Sequence, residues 1–393
     1  MDFDLVIVGG GLAGSAFATA MARTGARTLI VEREPVFRDR VRGEGMLPWG
    51  VAEARELGIY DRLLADCAHQ TRWLTMPDSN RDLVETTPAR TGLLDFYHPE
   101  MQQCLLDLAV ESGAELLRPA EVLEVVPGDP PTITIRMDGT TRQLTCRLVV
   151  GADGRNSRVR TQAGFTVERD QDWITIAGAL YRDLRVPDDA VQMVVNPIDQ
   201  GLSIVFPIGG GRFRAYVAYL AAAHPSLAGA RDVGRFVDMS VAVGAAADWF
   251  RGGECIGPLA SFNAPDCWAP RPYRSGVVLI GDAAAASDPV WGSGLSLTLR
   301  DVRVLRDRLV ASPDWRSQAD AYAEEHDRYF GALHRIHAMW SQLFFSVGDD
   351  AAALRERALP RIGEDPSRMI DFIGLGPEAP HDGVAQRRFF GED

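Results

Sequence analysis

The sequence contains no lysine, so all 41 of its basic residues are arginines. Chemistry that depends on a lysine amine, such as Schiff-base formation, is therefore excluded. Cysteine is scarce, because only five residues are dispersed over the chain and none forms a CxxC pair. Neither a zinc site nor a disulfide framework is indicated. Apolar runs of about 18 residues are missing, which argues against a membrane span. A net charge of -13 argues against nucleic-acid binding.

What remains is a composition typical of globular proteins. The chain has 393 residues, of which 46% are hydrophobic and 24% charged. This length allows a large core and two domains. Because the first apolar strand pattern starts at Phe3, we expect no signal peptide. Together with the dispersed cysteines, this favours a reducing, cytoplasmic location.

The stretch DLVIVGGGLAGSAFATAMARTGARTLIVERE, which starts at Asp4, predicts a strand, a turn, a helix and a second strand. Gly9, Gly11 and Gly14 form a G-x-G-x-x-G pattern, which allows a tight turn, close approach of a pyrophosphate, and close helix–strand packing. Glu32 lies 18 residues after Gly14, where an acid accepts hydrogen bonds from an adenosine ribose. The stretch predicts dinucleotide binding and leaves FAD and NAD open.

Two further stretches repeat the combination of an apolar strand, a glycine and an acid. They are RLVVGADGRNSRVR, at Arg147–Arg160, and VVLIGDAAAASDPVWGSGLSLTLRD, at Val277–Asp301. The three motifs, in this order and at this spacing, resemble the FAD-dependent monooxygenase family of the para-hydroxybenzoate hydroxylase type. The resemblance covers roughly residues 1–310.

The resemblance implies how FAD is held. The strand ending at Gly281 is expected beside the N-terminal strand, so that Asp282 reaches the ribityl chain. Residues 289–296 are expected along the flavin ring, with a helix from about Leu295 directing its N–H groups at the flavin. The predicted FAD contacts are Gly9, Gly11, Leu12, Ala13, Gly14, Glu32, Arg33, Arg42, Gln102, Val122, Asp153, Gly154, Gly281, Asp282, Pro289, Gly292, Gly294, Leu295 and Ser296.

The expected fold class is α/β, with a Rossmann-like FAD-binding domain, a second and mainly antiparallel β-sheet substrate domain, and C-terminal helices. Residues 1–70, 95–165 and 270–310 are assigned to the FAD-binding domain, residues 71–94 and 166–269 to the substrate domain, and residues 311–393 to a C-terminal helical region and tail. Strand-like alternation and the turn at residues 209–211 support this division. Candidate substrate-pocket residues are Trp49, Trp291, Phe206 and Tyr216, followed by Tyr181 and Met193.

The C-terminal third carries weaker signals. Residues 318–345 are predicted to form an amphipathic helix with His334 and His337 on a solvated face, and no metal site is predicted. The stretch 300–309 is interpreted as a charged helix face. After Pro360 the tail is expected to be irregular, because it is rich in proline and glycine.

The resemblance implies an FAD-dependent monooxygenase that hydroxylates an aromatic or polyketide-like molecule through a flavin C4a-hydroperoxide, with NAD(P)H and O2 as co-substrates. Its partner would be a small hydrophobic aromatic substrate. No catalytic residue is assigned, and the oligomeric state, a homodimer included, is left open. A flavin halogenase is disfavoured because that class depends on a catalytic lysine. Two alternatives stay open: an alkene reductase of the geranylgeranyl-reductase type, towards which the Gly-Glu-Gly at 43–45 points, and a non-enzymatic FAD-fold binding or escort protein.

Overall fold

A computed structural model describes residues 1–41, 43–263 and 265–392. The strands of the described residues are β1 (Phe3–Val8), β2 (Thr28–Val31), β3 (Gly45–Met46), β4 (Ala68–Thr71), β5 (Trp73–Met76), β6 (Ser79–Asp82), β7 (Leu93–Phe96), β8 (Glu115–Leu117), β9 (Glu121–Val126), β10 (Thr132–Met137), β11 (Thr140–Gly151), β12 (Glu168–Arg169), β13 (Ile174–Arg182), β14 (Ala190–Asn196), β15 (Gly201–Pro207), β16 (Arg212–Leu220), β17 (Glu254–Cys255), β18 (Ala260–Asn263), β19 (Cys267–Trp268), β20 (Tyr273–Arg274), β21 (Val277–Leu279) and β22 (Ala285–Ala286).

The α-helices of the same residues are α1 (Leu12–Ala22), α2 (Pro48–Glu56), α3 (Tyr60–Asp66), α4 (Leu83–Thr86), α5 (His98–Glu111), α6 (Arg158–Gln162), α7 (Val233–Val243), α8 (Gly294–Ala311), α9 (Trp315–Phe344), α10 (Asp349–Glu364), α11 (Phe372–Leu375) and α12 (Gly383–Phe389). The predicted α/β fold class is confirmed. None of these helices is both long and apolar enough to cross a lipid bilayer.

The first sheet has the strand order β20-β21-β11-β1-β2-β8, with β9 and β10 attached through β11. Strand β1 pairs in parallel with β2 and β11, and β11 pairs in parallel with β21. The expectation that the strand before Gly281 lies beside β1 is wrong, because β11 occupies that place. Since the carboxyl ends of these parallel strands point the same way, all three motifs still meet at one edge of the sheet.

Helix α1 covers one face of this sheet and follows directly from the first motif. Its sequence, LAGSAFATAMA, is rich in helix-forming alanine, and nearly all of its residues are buried. Gly25 ends the segment with a φ of +88° and donates its N–H to the carbonyl of Ala22 at 2.9 Å. Helix α1 packs against α5 and α8, which fixes the position of its N-terminus at the sheet edge.

The second sheet has the strand order β17-β13-β16-β15-β14-β5-β6, with β18 beside β13. Its pairs are antiparallel except for β14 with β5, so the predicted antiparallel character is confirmed. The hairpin between β15 and β16 turns at residues 209–211, where all three glycines have positive φ. Strands from segments 71–94 and 166–269 share this sheet, whereas the small sheet β12-β19-β22 joins segments assigned to different domains. The exact domain boundaries stay a prediction.

The C-terminal region differs from expectation. The predicted helix over 318–345 is confirmed as α9, but the expected irregular tail is wrong. Pro360 lies inside α10, and α11 and α12 follow it. Apolar burial overrides the composition here, because Ala358, Phe389 and Phe390 pack into the main core.

The stretch 300–309, interpreted as a charged helix face, is partly an interior contact. Glu53 of α2 is 6% exposed and forms ion pairs with Arg300 and Arg303 of α8. Arg300 also pairs with Glu378 at 2.7 Å. These arginines therefore join α8 to α2 and to the C-terminal segment.

Candidate FAD and substrate site

A cavity of about 990 Å³ begins at the carboxyl edge of the first sheet and continues beneath the second sheet. This volume is at the upper end of the range common for ligand pockets, about 300–1,000 Å³, and suits a ligand as long as a dinucleotide. Predicted FAD contacts that line it are Gly9, Gly11, Leu12, Ala13, Glu32, Arg33, Gln102, Val122, Asp153, Gly154, Asp282, Pro289, Gly292, Gly294 and Leu295. Arg42 lies outside the described residues.

The first motif has the geometry that phosphate binding requires. Gly9 has a φ of +102°, and a Cβ there would lie 2.5 Å from the carbonyl oxygen of Ala152. Gly14 does not line the cavity. A Cβ on it would lie 1.9 Å from the carbonyl oxygen of Gly9, so Gly14 permits α1 to pack against the turn. Helix α1 therefore starts at the cavity wall with its N–H groups directed into the cavity.

Glu32 lines the cavity but is also held by the protein backbone. Its carboxylate accepts hydrogen bonds from the N–H groups of Gly10 and Glu34, each at 2.7 Å. Arg33 beside it forms a surface ion pair with Glu34 at 3.4 Å. The backbone contacts fix the direction of the Glu32 carboxylate at the end of β2, where the adenosine half of a dinucleotide would lie.

Asp153 and Gly154 line the opposite side. The Asp153 carboxylate accepts from the Ser157 hydroxyl at 2.5 Å and from the N–H of Arg158 at 2.7 Å. It thus orders the N-terminal turn of α6. Gly154 has a φ of +80°, and no described heavy atom lies within 4 Å of the position of its missing Cβ. The backbone at Gly154 is therefore open to a bound molecule.

The backbone of the third motif is held by Asp301, the last residue of that stretch. Gly281 has a φ of +59°, and its N–H donates to Oδ2 of Asp301 at 2.7 Å. Asp301 is fully buried in α8, and Tyr329 donates its hydroxyl to Oδ1 at 2.6 Å. Burial raises the pKa of Asp301 to about 6. Gly281 does not line the cavity, but its position brings Asp282 to the cavity wall.

The loop before α8 borders the middle of the cavity. Gly292 has a φ of +66°, and a Cβ there would meet no described heavy atom within 4 Å. Helix α8 begins at Gly294, and its N-cap, Ser293, makes no side-chain cap. Ser296 does not line the cavity, contrary to its predicted role. Its hydroxyl accepts from the Leu47 N–H at 3.1 Å, and a Cβ on Gly50 would lie 2.2 Å from it, so Ser296 belongs to the contact between α2 and α8.

These observations test whether the site fits FAD. Within the described residues, both α1 and α8 begin at the cavity without a side-chain cap or an acid in the first turn. Their free N–H groups match a pyrophosphate and the electron-rich edge of a flavin. The Ser287 hydroxyl, which also lines the cavity, is buried and has no hydrogen-bond partner among the described residues. The residues present therefore fit FAD.

The cavity continues into an apolar compartment under the second sheet. Phe206, Tyr216, Trp291 and Met193 line it as predicted candidates, and the C-terminal residues Trp340, Phe372 and Ile373 complete its wall.

Two predicted pocket residues lie elsewhere. Tyr181 packs into a separate core with Phe236 and Phe250. Trp49 is buried against Gly376, where a Cβ would lie 2.6 Å from the indole ring. Both side chains fill the protein interior, which a sequence pattern does not distinguish from a pocket wall.

A buried charged cluster at the end of this compartment was not predicted. Glu44 and Arg214 are fully buried, with Arg214 Nε 3.2 Å from Glu44 Oε1 and Arg214 Nη2 2.7 Å from Asp39 Oδ2. Burial raises the pKa of Glu44 to about 8, although the Arg214 charge and the Tyr216 hydroxyl oppose the rise. The sequence carries one signal that could have revealed this cluster: Arg214 is a charged residue at a buried position within the apolar strand β16.

His334 and His337 of α9 do not share the solvated face predicted for them. His337 is 3% exposed, lies 3.0 Å from the Ser293 hydroxyl through Nε2, and burial lowers its pKa to about 3. His334 lies 2.8 Å from Asp170 and 3.8 Å from Asp266, in an ion-pair cluster beside a smaller cavity of about 270 Å³. Burial raises the pKa of Asp266 to about 6. This grouping of one histidine with two acids could hold a metal ion, which the sequence did not indicate.

The fold and the site together define an FAD-binding protein in which the three motifs meet at one cavity. The FAD-binding domain family matches residues 2–330, and the chain belongs to this family. FAD is accordingly its cofactor, and the predicted oxidoreductase class is confirmed.

Similar proteins include both oxygenases and reductases. The 6-methylpretetramide 4-monooxygenase of Streptomyces rimosus is 25% identical over 391 residues, covering 93% of this chain and 90% of that protein. A menaquinone reductase of Mycobacterium tuberculosis is 26% identical over 395 residues, covering 91% of this chain and 89% of that protein. The structure of p-nitrophenol 4-monooxygenase from Pseudomonas putida DLL-E4 superposes with a TM-score of 0.78 at 20% identity, covering 94% and 95%.

Proposed function

We propose that the protein is an FAD-dependent monooxygenase that hydroxylates an aromatic or polyketide-like molecule, using NAD(P)H and O2. The observation that carries this proposal is the continuity of the cavity. One space connects the uncapped N-terminus of α8, where the flavin ring would lie, with an apolar compartment lined by aromatic side chains. The name and 25% identity of the Streptomyces rimosus relative support the oxygenase class.

When bound and reduced, FAD supplies the activation of dioxygen. The chain contributes the surroundings. With FAD bound, the free N–H groups at the start of α8 would stabilise negative charge on the flavin. The wall built by Phe206, Trp291 and Phe372 excludes water from the place where the aromatic ring is oxygenated.

A second candidate is reduction of an alkene or quinone, favoured by the menaquinone reductase relatives and by the glycines that flank Glu44. Both reactions need reduced FAD in the same cavity. They differ in whether dioxygen is consumed.

Turnover under labelled oxygen gas separates the two. The FAD-loaded protein is given NADH or NADPH and a panel of aromatic polyketides, and product mass and oxygen uptake are measured. Hydroxylation predicts one labelled oxygen atom in the product and one O2 consumed per nicotinamide oxidised. A product two hydrogens heavier that forms equally well without oxygen would identify the reductase and refute the monooxygenase.

A further inference from the structure

A cluster of one histidine and two aspartates lies outside the cofactor cavity, where a small sheet meets α9. Strand β12 pairs with β19 in antiparallel register, with Glu168 opposite Trp268. The Asp170 N–H continues this pairing and donates to the Asp266 carbonyl oxygen at 3.0 Å. The two aspartates are therefore neighbours across a backbone ladder, and His334 of α9 completes the cluster.

Packing and hydrogen bonds orient the ligand atoms of the two inner residues. Asp266 is 4% exposed, and its Oδ1 accepts the Asp288 N–H at 2.5 Å, which leaves Oδ2 for the cluster. The His334 ring stacks on the Phe330 ring, with centroids 5.8 Å apart and an interplanar angle of 10°. Its Nε2 lies 2.8 Å from Asp170 Oδ2 and 3.8 Å from Asp266 Oδ2. Three ligand atoms thus converge on one point between three segments of the chain.

The spacing of these atoms suits one metal ion. All three ligand atoms lie within 4.8 Å of one another. Two ligand atoms that each lie about 2.1 Å from one ion, at an angle of about 90–110°, are about 3.0–3.4 Å apart. The observed separations of 2.8 and 3.8 Å bracket this range, so only small side-chain movements are needed to admit an ion. An ordinary ion pair needs only His334 and Asp170, and it leaves the buried third carboxylate unexplained.

A second cavity, of about 270 Å³, gives the cluster room for further coordination by water. The three ligands line it together with Asp288 and Gln342. His337 lines it too, is 3% exposed, and its Nδ1 has no hydrogen-bond partner among the described residues. Buried polar atoms are nearly always paired, so this nitrogen indicates a donor inside the cavity. A metal-bound water is such a donor.

The charge of the cluster favours a divalent cation. Asp170, Asp266 and Asp288 place three carboxylates on the wall of one cavity. The neighbouring Arg155 guanidinium donates to two backbone carbonyl oxygens, at 2.7 and 2.8 Å. One imidazole combined with carboxylate oxygens suits Zn²⁺ and similar divalent transition metals, whereas Mg²⁺ and Ca²⁺ prefer oxygen ligands alone.

We propose that Asp170, Asp266 and His334 bind a divalent transition-metal ion, with Zn²⁺ as the expected occupant. The ion joins α9 to the pair of strands β12 and β19. Because Asp266 also holds the N–H of Asp288, the ion stabilises the start of the loop that leads to α8. Its role is structural, and the proposal does not depend on the monooxygenase function proposed above.

Calorimetric titration with ZnCl2 tests the site. FAD-loaded protein, freed of metals with a chelator, should bind one Zn²⁺ per chain with a micromolar or lower Kd, and equimolar MgCl2 should not compete. His334→Gln removes the nitrogen ligand. Its Zn²⁺ affinity should fall on the order of a hundredfold or more, because loss of a residue that only supports a ligand already costs about 10–100-fold.

His69→Gln is the matched control. His69 Nε2 also lies near an aspartate, 3.7 Å from Asp188 Oδ1, and its side chain is 26% exposed against 28% for His334. This variant should bind Zn²⁺ as the wild type does. Thermal unfolding gives a second readout: saturating Zn²⁺ should raise the Tm of the wild type and of His69→Gln by several degrees, and leave the Tm of His334→Gln and Asp170→Ala unchanged.

The results decide the proposal in either direction. It is overturned if the wild type shows no saturable Zn²⁺ binding, if His334→Gln or Asp170→Ala keeps wild-type affinity, or if His69→Gln loses affinity to the same extent. Competition by equimolar Mg²⁺ overturns the assignment to a transition metal. If His334→Gln does not fold, Asp170→Ala decides alone, since Asp170 is exposed and its replacement disturbs no core packing.

Discussion

Substituting Gly14 tests the assembly of the FAD site at its tightest point. A Cβ at this position would lie 1.9 Å from the carbonyl oxygen of Gly9. That oxygen belongs to the backbone and cannot rotate away, so α1 must move from the turn. Overpacking of this kind costs about 1–3 kcal/mol. Alanine in a helix interior gains up to about 1 kcal/mol over glycine. If that full gain is realised, the net loss of stability for Gly14→Ala is about 0–2 kcal/mol.

Gly331→Ala is the matched control. Gly331 lies within α9, and its Cβ would lie 3.6 Å from the nearest group, the end of the flexible Arg335 side chain. The same substitution should therefore stabilise the protein by up to about 1 kcal/mol.

Urea unfolding of the FAD-free variants measures the two free energies, and fluorescence titration measures FAD binding. In Gly14→Ala the start of α1 is displaced, and this should weaken FAD binding about tenfold. Gly331→Ala should bind FAD as the wild type does. If Gly14→Ala is stabilised as much as Gly331→Ala and keeps its FAD affinity, the inferred role of the close helix–turn contact is wrong.

Three further predictions concern single side chains. Asp282→Ala should weaken FAD binding about tenfold or more without changing the fold, because a charge-assisted hydrogen bond is lost; unchanged affinity in a flavin titration would show that Asp282 does not reach the cofactor. Burial raises the pKa of Asp301 to about 6. The contribution of this carboxyl group to the stability of the folded protein should therefore be complete below about pH 4 and lost as the pH rises through about 6. The stability of the wild type relative to Asp301→Asn should thus fall over that range by on the order of 2–3 kcal/mol, and a flat difference in urea unfolding would contradict this. Phe372→Ala should raise the KM for an aromatic substrate several-fold and leave FAD affinity unchanged, since the ring lines the cavity but belongs to none of the three FAD motifs; a parallel loss of FAD affinity would contradict this.

The motifs were predictable because each is local. A strand that ends in glycines and is followed by a helix fixes its own backbone geometry, and Gly9, Gly154 and Gly292 all have the positive φ that favours glycine. The order of the strands was not local. Which strand pairs with β1 depends on which apolar segments meet when the chain folds. Strand β21 was therefore predicted beside β1, although β11 lies between them.

Side chains that act through distant partners were the hardest to predict. Ser296 follows the third motif closely but faces α2, since Gly50 leaves space for it there. Glu44 and Arg214 are 170 positions apart (214 − 44), and only the folded sheet brings them together. The composition of the tail concealed its helices, because burial of Phe389 and Phe390 outweighs the helix-breaking residues around them.

The central place of β1 has a consequence for biosynthesis. Its first partner, β2, follows it at once, but its other neighbour, β11, and then β21 and α8 leave the ribosome much later. While the chain is growing, β1 therefore exposes an unpaired edge that can attract other strands. The cofactor pocket is complete only when the third motif has been synthesised, so we expect FAD to bind late. Chains that terminate early would then reach chaperones and proteases without bound FAD.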